Sequence, residues 1–296
     1  MTRFSARLLT AAALISFSVA ASAHRGWMVP SATVFSGTGS YVTVDAASSN
    51  DLFFADHRPA SLNAIKVWAP DGSEGRIENG ATGATRSTFD VKLDKPGTWK
   101  IGTMNTMVTG SFKLNGEERR VGGRFGGGGP GGPGGPGMGP GGPGGGAPRT
   151  PPVTVAEIPS EATDVKLTES INRNEIYVTA DAPTGTVFKP SGKGLEFEPI
   201  THPDELVQGE TASFRFLIDG KPANGLKVTV VPGGKRYRND DGARDFTTGS
   251  DGVAKIDWPA AGLYWINATA TDDKPSEPKA TQRRMSYTTT VEVLLP

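Results

Sequence analysis

Ser213-Phe214-Arg215-Phe216-Leu217-Ile218-Asp219-Gly220 reads as a β-strand closed by a tight turn. Aromatic and branched side chains fill the strand, and Asp-Gly suits a sharp reversal of the backbone. The pattern repeats on either side. Lys227-Val228-Thr229-Val230-Val231 runs into Pro232-Gly233-Gly234, and the strand at 253–258 follows Asp251-Gly252. Further strands are expected at 195–200, 262–268 and 287–293, about seven in all. That succession predicts an immunoglobulin-like or prealbumin-like β-sandwich over residues 191–296.

Upstream, Tyr41-Val42-Thr43-Val44, Ala64-Ile65-Lys66-Val67-Trp68, the stretch 88–93 and Gly97-Thr98-Trp99-Lys100-Ile101 read as short half-buried strands. Pro70-Asp71-Gly72 and Lys95-Pro96-Gly97 mark the turns between them. Phe112-Lys113-Leu114 reaches an Asn115-Gly116 turn. No window carries a helical apolar stripe, so a second antiparallel sandwich is expected over 24–190, in tandem with the first. The fold class predicted is therefore all-β. Residues 122–152 interrupt it with Gly-Pro repeats that have almost nothing to bury, and the expectation is a disordered loop inserted between two late strands of the first domain. Its glycines do not keep a strict period of three, which excludes collagen.

The chain begins with a basic start (Arg3, Arg7), an apolar run from Leu8 to Ala20, and the small-x-small triplet Ala21-Ser22-Ala23. Residues 1–23 are read as a cleaved signal peptide and the compartment as periplasmic. The apolar run is short for a bilayer span, so no membrane insertion is expected after cleavage. There is no cysteine, which excludes disulfides and thiolate chemistry. Basic and acidic side chains balance at 31 each, which argues against nucleic acid or a polybasic membrane surface as a partner. Gly-x-Ser-x-Gly, His-Glu-x-x-His and Walker patterns are all missing, and the chain is not expected to be an enzyme.

Several stretches together resemble a bacterial periplasmic family of unknown function related to the periplasmic component of nickel and cobalt uptake transporters. They are His24-x-x-Trp27-x-x-Pro30, the run 49–57 ending in Asp56-His57, Gly97-Thr98-Trp99, the run 195–203 ending in His202-Pro203, and Asp219-Gly220-Lys221-Pro222. The resemblance covers most of the chain after residue 23 except the Gly-Pro tract. It implies two β-sandwich domains and metal handling outside the cytoplasm.

Only His24, His57 and His202 offer imidazoles. Cleavage after Ala23 would make His24 the first residue, with amine and ring nitrogen in one chelate. Cleavage after Ala21 would instead leave an X-X-His end that encloses copper or nickel in a square plane. The expected metal site is His24 with His57, and Asp56 either as a third ligand or as the partner that orients an imidazole. His202, at the expected domain junction, reads as a lone surface or interface histidine and is left out of the site. Asp240-Asp241-Gly242 and Asp251-Gly252 lack the spaced oxygens of a calcium loop and are explained by turns. The tryptophans could in principle stack on sugars, but most of the five sit inside alternating strands, where a core role is expected.

The function expected is an exported protein that binds a divalent transition metal ion (nickel, cobalt or copper) for uptake or buffering. A membrane metal permease or another envelope protein is the expected partner. The alternatives are a non-catalytic structural module of the envelope and a copper-dependent oxidase of the histidine-brace type.

Overall fold

The computed structural model describes residues 24–122 and 151–296. The expected signal peptide, and all but the ends of the Gly-Pro tract, lie outside the described residues. The principal strands are β1 (Arg25–Pro30), β2 (Ser40–Ser49), β3 (Ser87–Leu93), β4 (Gly97–Leu114), β5 (Thr163–Ala180), β6 (Leu195–Pro199), β7 (Thr211–Ile218), β8 (Lys227–Pro232), β9 (Val253–Asp257), β10 (Gly262–Asp272) and β11 (Gln282–Val293). Among the described residues the only helices are single 3₁₀ turns, and no helix is long and apolar enough to cross a membrane. The fold is all-β, as the turn spacing predicts.

The strands form three sheets. One runs β1-β2-β3 to a short edge strand at Glu78–Thr82. Another sets β7 between β6 and β9. The largest runs from Arg244–Thr247 through β8, β10, β11, β5 and β4 to Lys66–Trp68. Period-two alternation on β5 shows how they stack, because successive side chains face opposite sides of a sheet. Ile176, Val178 and Ala180 join a core with Val42, Val44, Phe89, Val91 and Trp99. Ile171 and Tyr177 join the other core, built with Phe197, Phe214, Phe216, Trp258 and Tyr287. The large sheet is thus the common middle layer, with the first sheet on one face and the β6-β7-β9 sheet on the other.

Most pairings are antiparallel, but β5 and β11 pair in parallel, from Thr168↔Gln282 to Glu175↔Thr289. A parallel pair needs a long crossover, and here the whole second sandwich is that connection. The strands expected at 97–101 and near 112–114 are one 18-residue strand, β4, and β5 likewise runs well beyond the expected 175–180. In β4 an exposed middle hides this continuity, since solvent-facing Met104 and Met107 break the alternation, and in β5 buried charged residues such as Glu169 and Arg173 do so. The Gly-Pro tract leaves from the Glu117–Val121 strand and re-enters before β5. Its two ends are held side by side, with the Gly122 amide donating to the Val153 carbonyl at 2.8 Å.

A smaller cluster welds the first sheet to the middle layer. Trp27 of β1, Ala47 of β2 and Leu52 pack on Val231 of β8 and Trp265 of β10. The Trp27 indole donates to Ser49 Oγ at 2.6 Å, and the Trp265 indole donates to the Gly26 carbonyl at 3.1 Å. All five tryptophans lie in or against these clusters.

Candidate metal site

β2 is flanked on one side by β1 and on the other by the two-residue strand Arg58–Pro59. Arg25 pairs with Ser49 and Arg58 pairs with Ser48, so both flanking strands start at the same end of β2. His24 and His57 are the residues just before them. Two strands separated by a third lie about 9.6 Å apart, a gap that two imidazoles can span. The rings meet face to face, with centroids 3.5 Å apart and planes within 3°. Both histidines are exposed, and neither ring makes a hydrogen bond among the described residues.

The loop from Asn50 to His57 is what delivers His57. Ser49 Oγ donates to the Asp51 carbonyl at 2.6 Å, and the Phe54 amide donates to the same carbonyl at 3.2 Å. Leu52 is buried in the cluster around Trp27 and Trp265. Phe53 takes a left-handed backbone, φ 63°, which is costly for a bulky side chain. Its ring is held at the point where a Cβ on Gly233 would come within 2.8 Å, so only glycine fits there. Asp56 then closes the loop: its carboxylate accepts from the Asn50 amide at 2.9 Å and from Asn50 Nδ2 at 3.3 Å. The Asn50 amide holds the Asp56 carboxyl below the usual carboxylate range.

The structure brings His24 and His57 together and places Asp56 at the base of the loop, engaged with Asn50 rather than with either ring. Among the described residues no three His, Cys, Asp or Glu side chains gather as a metal cluster. The lone pairs of an imidazole lie in its ring plane, so one ion cannot lie in both of two parallel planes. To share an ion, one exposed ring must turn about its side-chain bonds. Two imidazole donors, with an α-amine if His24 is terminal, suit copper, nickel or zinc.

The second sandwich holds this end of the molecule. Arg25 donates to Asp241 at 3.0 Å and lies over the Trp265 ring, while Lys235 pairs with Asp51 at 3.2 Å. The Arg236 guanidinium sits 3.9 Å from the centre of the Phe54 ring. Nothing in the sequence spacing signals Lys235 and Arg236, which lie about 180 residues from the loop they touch.

His202 stands apart, at the junction of the two cores. Its Nε2 meets Thr98 Oγ1 at 2.9 Å, and Thr98 Oγ1 meets Thr179 Oγ1 at 3.0 Å. Thr179 in turn donates to Asp204 at 2.6 Å. Burial pushes the Asp204 carboxyl up to about 7 and the His202 imidazole down.

The fold and this end together define a class: an all-β protein of stacked sheets with a paired-imidazole corner on its surface. Over residues 21–272 the sequence matches a family described as a domain of unknown function, DUF4198, and the chain belongs to that family. A search of curated proteins finds no match. Among solved structures, trypsin-activated α2-macroglobulin from Escherichia coli is similar at 13% identity and TM-score 0.23, over 90% of this chain but 16% of the macroglobulin. The D0-D1 domain of intimin shows 11% identity and TM-score 0.21 over 90% of this chain and 97% of its own. A DUF4785 family protein from Legionella pneumophila shows 8% identity and TM-score 0.22 over 82% and 50%. Superpositions this slight carry nothing about site or activity.

Proposed function

We propose that this is an exported protein that binds one divalent transition metal ion, nickel, cobalt or copper, at His24 and His57. Its role is then supply or buffering for a membrane metal permease in the periplasm. The observation that supports the reading is the contact of the two imidazoles, which come from residues 33 apart in sequence and make no hydrogen bond among the described residues. Conversion of two exposed histidines into a pair by sheet register is a costly arrangement for a surface with no ligand, since both side chains lose rotamer freedom. The reading includes a signal peptide ending at Ala23, which would add the His24 amine as a third donor, and a division into domains near residue 190.

The test is titration of the mature, processed protein with nickel and copper by calorimetry, alongside the mass of its N-terminus. One equivalent should bind to the wild type, and His24→Ala and His57→Ala should each abolish or severely weaken it. Absence of binding by correctly processed wild-type protein would sink the proposal.

A further inference from the structure

The loop that carries His57 belongs to the first sheet, yet its outer surface is gripped by the segment that follows β8 in the second sandwich. Lys235 holds Asp51 at 3.2 Å, and Arg236 lies on the exposed ring of Phe54 at 3.9 Å. Asp51 and Phe54 bracket the turn whose left-handed residue is Phe53. His57 is three residues further on. His57 lies between this turn and the Arg58–Pro59 strand, so displacing the turn shifts His57 from the turn side only, while His24 is held by β1 pairing and by the Trp265–Gly26 bond.

We infer that Lys235 and Arg236 are positioning residues for the histidine pair: Lys235 through Asp51 and Arg236 through Phe54 set the approach of His57 to His24. The effect on metal affinity rests on the proposed metal-binding reading; the effect on the ring contact does not. Charge makes the two explanations separable. Lys235→Glu adds a negative charge near the site, which by Coulomb attraction alone would tighten binding of a cation. Loss of positioning weakens it instead.

The experiment uses the full processed chain with labelled histidines. Only three are present, so the ring-to-ring NOE between His24 and His57 is readily assigned. Lys235→Glu should lose that NOE and bind nickel(II) roughly fivefold more weakly, the scale of a partly exposed ion pair. The charge swap Asp51→Lys with Lys235→Glu should restore both. An intact NOE in Lys235→Glu, tighter nickel binding, or failure of the swap to restore the NOE overturns the inference. If the wild type takes up no nickel but Lys235→Glu still loses the NOE and the swap restores it, the metal reading falls and the positioning role stands.

Discussion

At the scale of single residues, the histidine corner separates ligand from support. Asp56 has the chemistry of a ligand, but its carboxylate is occupied by Asn50. Asp56→Asn keeps one acceptor for the Asn50 amide, whereas Asp56→Ala keeps none. Loss of such hydrogen bonds costs about 0.5–1.5 kcal/mol each. Hydrogen exchange should therefore show the Asn50 amide opening faster in Asp56→Ala and less so in Asp56→Asn. Nickel affinity should follow the same order, and equal loss in both variants would identify Asp56 as a ligand. The buried acid Asp204 makes a separate prediction about pH. Its folded value of about 7 lies above the ordinary 3.8, so its contribution to stability is full below about pH 4 and is lost as pH rises through 7. His202, shifted down, acts in the opposite sense and loses stability as pH falls below its ordinary 6.5. Asp204→Asn should remove the first effect alone. Thermal midpoints measured between pH 5 and 8 should then fall less steeply with rising pH, or rise, in the variant, with at most about 3 kcal/mol at stake in that window.

At the scale of elements, β1 matters more than its six residues suggest. Among the described residues it pairs only with β2 along its edge, but its face is buried against the middle sheet through Trp27 and Trp265. Trp265→Phe keeps most of the apolar contact and loses the bond to the Gly26 carbonyl, worth about 1 kcal/mol. Trp265→Ala opens a cavity and should cost about 3–5 kcal/mol. Chemical denaturation should rank the two in that order, with β1 amides the first to lose exchange protection. The strands themselves were largely legible in sequence, because Pro-Asp-Gly and Asp-Gly turns bound them and their apolar residues alternate. The lengths of β4 and β5 were not, since their middle stretches face solvent on one side or bury charge in pairs. Arg173 and Glu175 on β5 are both buried within 3.7 Å of each other, and a periodicity reading scores such residues as exposed.

At the scale of the whole molecule, the two sandwiches share one sheet. A cut near residue 190 would separate most of the two cores, yet it would strip β11 from β5 and expose eight paired positions. Calorimetry of the full chain should accordingly show one unfolding transition, and a chain ending at residue 190 should not fold cooperatively. Two separate transitions would show that the parallel pairing contributes little. The sequence by itself determined the all-β class, the turns, the absence of cysteine chemistry, and the short list of imidazoles that any histidine site must use. These are local properties, set by side-chain alternation, turn residues and composition. That His24 and His57 meet, that Asp56 serves the loop, and that Lys235 and Arg236 reach it from another sheet was decided only by the tertiary structure. Strand register and the order of strands in a sheet depend on contacts between distant residues, and no local pattern carries them.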